Sequence, residues 1–415
     1  MEQLRLGFIG LGMAVTRILQ ERPGIADLPY IKITAATDPR PQALARFTDE
    51  FGGEVFPSAE ALCASSMIDA VYIATPPELH AEQTLLAARH GKHVVVEKPM
   101  AMTLEDALAM NAAADQYGVK LLAGHTHSFD PPIRKMREII RSGEMGKLCM
   151  LNSWNFNEFN HRPWPARELV STRGPIFNQG PHQVDIVRLL GGGLVRSVRA
   201  QTIWDVDRPP EGGWSAWLEF EDGVPATLVY DARGFFDTAE LLWWIGEGGR
   251  PRDPETNLKM RRNLQAIAGP DRDKILDEQK EEMRYGGGYG QGKWGEIWKI
   301  WGGGHEAGGE HHQPFFGLTV ASCEQGAIRQ SPDGLYVCGS SDRWEVPVEQ
   351  GMRGRQAKLR ELYEGVANNR PIFHDGRWGA ATLEVCLAIV QSAAERREII
   401  MAHQVPADHP AQAAS

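Results

Sequence analysis

Two side chains in this sequence have the type and setting to move a proton. Lys98 follows Glu97 at the end of the run His93-Val94-Val95-Val96 and precedes Pro99. A short β-branched apolar run of this kind reads as a strand buried on both faces of a parallel sheet, so the charged pair emerges at its carboxyl end. That edge is where open α/β sheets hold ligands. An ammonium there can anchor an anion, or transfer a proton once burial lowers its pKa. Alone, a solvated ion pair is the better account of Glu97 and Lys98. The second side chain is His182, in Gln179-Gly180-Pro181-His182-Gln183-Val184-Asp185, the opening of a helix that Gly191-Gly192-Gly193 ends. A histidine there is ordinarily structural, and it gains meaning if the fold sets it opposite Lys98.

A third stretch suits phosphate. In Gly10-Leu11-Gly12-Met13-Ala14-Val15, glycines at 10 and 12 permit a tight turn and close approach of backbone to a pyrophosphate. The free amides of the helix starting at Met13 and Ala14 then meet its charge. Val15 replaces the usual third small residue. Asp38 closes the next strand, where a carboxylate can accept both ribose hydroxyls of an adenosine, although an Asp-Pro turn would also place it there. Arg40 stands where a 2′-phosphate could be taken up. The expected cofactor is NAD, which Asp38 favours, with NADP left open by Arg40. Thr75-Pro76 and His80 follow the next strand: the prolines fix an extended loop, and His80 in the first helical turn faces either the same crevice or solvent.

The elements that must position these residues alternate. Strands are expected at Leu4–Ile9, Ile31–Ala36, Asp69–Ala74, the Val94 run and Val119–Ala123, with helices at 13–20, 41–51, 79–90 and 104–117. Strand and helix taking turns predict right-handed βαβ units and a doubly wound parallel sheet. None of the 12 tryptophans precedes Trp154, and this shift marks a change of domain. We expect a Rossmann domain over 1–125 and an α+β domain over 126–400, followed by a tail over 401–415 that is loose from roughly Val405 to Ser415. The second domain reads in period two, as in Trp214–Phe220 and Ala226–Tyr230, with turns at Glu221-Asp222-Gly223 and Pro332-Asp333-Gly334. This predicts an open, mostly antiparallel sheet with one face covered by helices, two of them near 356–368 and 380–400. The other face would be left for another subunit, giving a homo-oligomer. The stretch from about 250 to 310 is an insertion: charged and proline-dotted at first, then 11 glycines in the 24 residues 286–309, with Trp294, Trp298 and Trp301. Either a lid or arm, or a surface insertion, fits it.

Composition narrows the function. The formal charge of −10 argues against non-specific nucleic-acid binding. Five scattered cysteines without metal-type spacing fit reduced thiols, and no metal site is expected. No run approaches the roughly 20 apolar residues of a membrane span, and the first residues lack the basic head and apolar core of a secretory signal. A cytoplasmic protein is the expectation.

The glycine turn, Asp38, Ala74-Thr75-Pro76 with His80, and Glu97-Lys98-Pro99 together resemble the Gfo/Idh/MocA oxidoreductases. The resemblance continues at Gly174–Asp185 and Asp375–Val385 and omits roughly residues 245–310. It implies that Lys98 lies by the nicotinamide and that His182 takes or gives the proton of a substrate hydroxyl. Asn178 stands where many sugar-oxidising relatives carry aspartate, and an amide cannot hold the charge that strengthens an imidazole base. Asp185, three residues after His182, would compensate in part. Asn178–Asp185, the glycine-rich insertion and His311-His312-Gln313-Pro314-Phe315-Phe316-Gly317 are similar to members acting on carboxylated cis-dihydrodiols of the phthalate 4,5-cis-dihydrodiol type, which implies oxidation to a catechol acid. An anionic substrate calls for guanidinium groups. Arg162, Arg167 and Arg173, in the loop around Trp164 that leads to the His182 helix, are the candidates, with His125 and His127 as further lining. A sugar or cyclitol dehydrogenase, and a non-catalytic dinucleotide-binding regulator, are the alternative readings.

Overall fold

The computed structural model describes residues 2–20, 24–124, 127–162, 174–203, 212–267, 269–287, 310–352 and 354–407. Residues 4–123 build a six-stranded, wholly parallel sheet in the order β3-β2-β1-β4-β5-β6. Its strands are β1 (Leu4–Ile9), β2 (Ile31–Thr37), β3 (Glu54–Val55), β4 (Ala70–Ile73), β5 (His93–Val96) and β6 (Leu121–Ala123). Between them run α1 (Met13–Gln20), α2 (Pro41–Phe51), α3 (Ala59–Ala64), α4 (His80–Arg89) and α5 (Leu104–Tyr117). Val94, Val95 and Val96 are wholly buried, as expected for a strand with helices on both faces. Strand order reverses between β1 and β4, and a doubly wound sheet opens its crevice at that reversal.

The second sheet has nine strands in the order β14-β13-β12-β11-β7-β10-β9-β8-β15. These are β7 (Leu148–Phe156), β8 (Val195–Ile203), β9 (Gly213–Phe220), β10 (Pro225–Asp231), β11 (Leu318–Cys323), β12 (Gly326–Ser331), β13 (Gly334–Gly339), β14 (Arg343–Pro347) and β15 (Ile399–Ile400). Every pairing is antiparallel except β7 with β10. One face packs on α6 (Pro131–Ser142) and on the helices Gly180–Leu190 and Gly376–Glu395, burying Leu151, Leu218, Leu228 and Ile389 in one core.

The C-terminal segment returns to the first sheet. Asp375 bridges to Leu122 and His374 O accepts from Ala123 N. The last two helices begin earlier than the apolar spacing implies, at Gly354 and Gly376. Asp375 explains the second start, since its Oδ1 accepts from Trp378 N at 2.9 Å as an N-cap. That helix stops at Arg396, whose φ of 54° is left-handed; the residues beyond it form β15 and do not continue the helix to 400.

Two further segments gain structure. The charged stretch after Arg250 holds two helices, Thr256–Ala266 and Arg272–Met283, packed through Met260, Leu264 and Leu276. Their apolar stripe is narrow, and the sequence shows the stretch only as charged and proline-dotted. The tail is not loose through Ala407: Ala407 N donates to Gly192 O, and Gln404 accepts from the buried Arg188. Gly193 permits this approach, because a Cβ there would lie 2.4 Å from Val405 O. Residues 408–415 lie outside the described residues. Among the described residues no helix is long and apolar enough to cross a membrane, and no group of three or more His, Cys, Asp or Glu could hold a metal.

Candidate active site

A cleft of about 1670 Å³ opens between the two sheets, lined from Gly10 at one end to Arg252 at the other. This exceeds the ~300–1,000 Å³ of a usual small-molecule pocket, so it has room for a dinucleotide and a second ligand.

At the first end the turn after β1 is a cradle that only glycine permits. Gly10 has φ 87°, and a Cβ there would meet Thr75 Cγ2 at 2.9 Å and the Ala74 carbonyl at 3.1 Å. At Gly12 a Cβ would meet only Ala74 O, at 3.8 Å, so this glycine keeps space free on the cleft side. Met13 and Ala14 open α1 and line the same wall. These are the features a pyrophosphate requires, and the residues fit a dinucleotide.

Asp38 and Arg40, which the sequence sets up as competing ribose and phosphate ligands, are paired with each other. Asp38 Oδ1 accepts from Arg40 N at 2.9 Å and Nε at 3.0 Å, and its Oδ2 accepts from Leu11 N at 2.7 Å. The carboxylate side chain is 5% exposed, so a ribose meets it only at its rim. Thr75 Oγ1 donates to Gln83, and Pro76 lines the cleft beside it. His80 is buried, its Nδ1 2.9 Å from Pro99 O and its Nε2 3.0 Å from Thr75 O. The ring ties the loop after β4 to the loop after β5, and burial holds its pKa down.

Glu97 turns toward the interior. Its carboxylate accepts from the Tyr72 hydroxyl and, at 3.2 Å, from the buried Lys358 ammonium. Burial alone would raise this carboxyl, but Lys358 and Tyr72 hold it down at about 2. Glu97 therefore locks the Gly354–Ala367 helix to the first sheet, and Lys98 alone of the charged pair reaches across. Lys98 Nζ donates to Asn178 O at 2.6 Å and to Asn178 Oδ1 at 2.8 Å.

Asn178 sits four residues before His182, and Lys98, Asn178 and His182 line one cleft. Gln183 fixes the His182 helix. It donates to Ser153 O at 2.9 Å and Val229 O at 3.1 Å, and accepts from Trp214 Nε1 at 3.0 Å. Asp185, on the same helix, accepts from Trp378 Nε1 at 2.6 Å.

The ring that meets His182 is His127, edge-on with centroids 4.9 Å apart, and Phe316 packs against both. His127 lies between two carboxylates, Asp130 Oδ2 at 2.8 Å and Glu247 Oε1 at 3.2 Å. Burial opposes its protonation, but Asp130 and Glu247 outweigh burial and push its pKa up to about 10. It is an imidazolium at neutral pH.

Beyond lie the arginines. Arg162 lines the cleft and pairs with Glu158 Oε1 at 2.8 Å. Glu158 Oε2 takes a second guanidinium, Arg252, which also pairs with Asp237 at 2.7 Å. Burial alone would raise Glu158, yet Arg252 and Arg162 hold it down at about 2. Arg250 lines the same cleft, and its guanidinium has no partner among the described residues. Trp164, Arg167, Arg173 and His125 lie outside the described residues.

Sequence reasoning missed Asp130, Glu158, Glu247, Arg250 and Arg252. The one available signal was Gly246-Glu247-Gly248-Gly249-Arg250-Pro251-Arg252, where a tight glycine turn gathers three charges. Gly246 N donates to Arg250 O and His312 N to Gly249 O, so the turn is held from both sides.

A parallel sheet with a glycine cradle at its reversal, and a lysine and histidine from separate domains on one cleft, define a nicotinamide-dependent oxidoreductase. Family models agree: residues 4–125 match the oxidoreductase family, NAD-binding Rossmann fold, and residues 133–249 the GFO/IDH/MocA C-terminal domain. The chain belongs to the GFO/IDH/MocA family of oxidoreductases and uses NAD(P). It is 33% identical, over 94% of each chain, to 1-carboxy-3-chloro-3,4-dihydroxycyclo hexa-1,5-diene dehydrogenase of Comamonas testosteroni. Among solved structures it is similar to a dehydrogenase from Bordetella bronchiseptica RB50, with TM-score 0.84 and 33% identity, covering 96% of this chain and 100% of that one. The WlbA dehydrogenase of Bordetella pertussis, solved with NADH and UDP-GlcNAcA, shares the fold at TM-score 0.66 and 19% identity, with 97% of each chain covered.

Proposed function

We propose that the protein oxidises a carboxylated cis-dihydrodiol, of the phthalate 4,5-cis-dihydrodiol type or a related ring acid, to the corresponding catechol acid. The observation that carries this reading is the juxtaposition in one cleft of Lys98, Asn178 and His182 with Arg250, a guanidinium without a partner among the described residues. Arg162 and Arg252 are already balanced by Glu158 and Asp237. A ring carboxylate therefore supplies what Arg250 lacks. The name of the Comamonas relative, a carboxylated dihydroxycyclohexadiene dehydrogenase, supports the same substrate class.

The cofactor, held by Gly10, Gly12, Met13, Ala14 and the rim of Asp38, would accept hydride from the carbinol carbon. Lys98 holds the substrate hydroxyl by its ammonium, which the neutral Asn178 steers without cancelling its charge. An aspartate at this position would form an ion pair and draw the ammonium away from substrate. His182 takes the hydroxyl proton as the carbon is oxidised. The hydroxy-dienone so formed enolises to an aromatic diol, which drives the reaction forward.

Following reduced-nicotinamide absorbance with carboxylated cis-dihydrodiols, unsubstituted cis-dihydrodiols, inositol and glucose tests the reading. Turnover is expected on the first group with NAD. Turnover of inositol or glucose alone would move the protein to the sugar and cyclitol dehydrogenases, and no turnover on any would favour a regulator.

The reading includes a homo-oligomer through the outward face of the second sheet, where Trp154 and Trp217 are 43% and 42% exposed. Sedimentation of only monomer at micromolar concentration would remove it.

A further inference from the structure

The insertion between β10 and β11 reaches back onto the dinucleotide domain. Tyr285, just past the Arg272–Met283 helix, is fully buried in the core cluster of the first sheet together with Phe47. Its hydroxyl donates to Glu50 Oε2 at 2.7 Å, and the Arg46 guanidinium lies 4.8 Å from its ring centroid. Gly286, at φ 85°, lies so close to α2 that a Cβ would fall 2.5 Å from Ala43 Cα. Tyr285 O accepts from Arg40 Nη1 at 3.1 Å. Arg40 Nη2 donates to Leu11 O at 2.7 Å and Nε to Asp38 Oδ1 at 3.0 Å. All three guanidinium nitrogens thus have acceptors, one of them supplied by the other domain. Glu281 and Arg284 line the cleft at this end.

We propose that Tyr285-Gly286 is a latch that sets cofactor choice, by holding Arg40 onto Asp38 and away from a 2′-phosphate. A guanidinium is the natural ligand for that phosphate, through paired N–H donors. With the latch closed the donors are turned to Leu11 O, Asp38 and Tyr285 O, and an incoming phosphate meets a carboxylate instead. NAD carries no such group and is unaffected. The latch belongs to the insertion, so the domain that selects substrate also selects cofactor. None of this depends on which diol or polyol the enzyme oxidises.

The test is equilibrium binding of NAD and NADP to the full-length protein without substrate, by calorimetry or tryptophan fluorescence. The intact protein should bind NAD roughly 100-fold more tightly than NADP. In Gly286→Val, the side chain drives the strip off α2, and the NADP dissociation constant should fall roughly tenfold while that for NAD changes little. Adding Arg40→Gln to Gly286→Val should abolish the gain, since Arg40 is the group released. Tyr285→Ala empties the anchor without crowding α2 and should reproduce the effect if the valine variant folds poorly, with thermal unfolding as the check on both. An intact protein that binds both dinucleotides equally overturns the proposal. So do latch variants whose NAD-to-NADP ratio stays fixed, or in which both constants rise together.

Discussion

The two ends of the cleft are built by opposite means. The dinucleotide end consists of short-range features at the edge of one sheet: a glycine turn, a strand-end aspartate and a proline loop. Its charges are closed into internal pairs, Asp38 with Arg40 and Glu97 with Lys358. The substrate end is assembled from His127, Glu158, Arg162, His182 and the Gly246–Arg252 turn, which lie far apart in sequence. There the Arg250 guanidinium lines the cavity without a partner among the described residues. A cofactor shared by many enzymes needs a conformation, and neutral surroundings suffice for it. A particular acid needs charge left open to meet it.

If the ends are separable, damage at the junction should abolish chemistry and spare the dinucleotide. His182→Ala is expected to lower kcat by ~10²- to 10⁴-fold and leave the NAD dissociation constant within a factor of about 3. Lys98→Met should behave alike. Steady-state rates beside calorimetric NAD binding decide it: a dissociation constant that rises as kcat falls would mean the ends are one unit.

Next in size is Arg250→Gln. The loss of one charge-assisted contact should raise KM for a carboxylated diol by ~10- to 100-fold, with kcat for an unsubstituted cis-diol and NAD affinity retained. Equal losses on both diols would show that Arg250 shapes the turn and does not read the carboxylate.

Glu247→Gln sharpens the contrast through pH. His127 has its pKa raised from 6.5 to about 10 in the fold, so its contribution to stability is fully present below about 6.5. That contribution is lost as pH rises through about 10. Removing the Glu247 charge should bring the His127 pKa down by roughly 1–2 units, read from the C–H resonances of labelled histidine. It should draw the alkaline loss of thermal stability down with it, and an unmoved resonance would leave Asp130 as sole cause.

The same contrast explains what the sequence disclosed. The cradle, Asp38, Thr75-Pro76, Lys98 and the helix carrying His182 were legible because each is a local pattern at a strand or helix end. The period-two strands of the second sheet were legible for the same reason. The pairing of Asp38 with Arg40 was not, since the other acceptors around the guanidinium, Leu11 O and a carbonyl 245 residues away, are brought together only by folding. Nor was the inward turn of Glu97, which rests on Lys358 and Tyr72 from distant elements. Glu247 and Arg250 were hidden in an insertion whose helices have too few apolar residues to announce themselves. The indole of Trp378 that meets Asp185 on the His182 helix comes from the last long helix, 193 residues on. Helical spacing gives the face a residue occupies, and packing decides what it touches there.

The smallest effect concerns the closed pairs. Glu97 is held at about 2 against 4.5 for a free carboxyl, so its contribution to stability is present above about 4.5 and is lost as pH falls through about 2. Removing Lys358 alone would leave a buried carboxylate uncompensated and cost roughly 3–5 kcal/mol. Removing both charges is a different perturbation. In Glu97→Gln/Lys358→Met the amide still meets the Tyr72 hydroxyl and the methionine fills the lysine stem's volume, so stability at neutral pH should change by no more than ~1–2 kcal/mol. Denaturant unfolding between pH 7 and 2 should show the double variant losing less stability in acid than the parent, with NAD binding at pH 7 kept. If that variant instead loses NAD binding, the inward-facing pair orients Lys98 as well as bracing the helix, and the dinucleotide end is less self-contained than its closed charges imply.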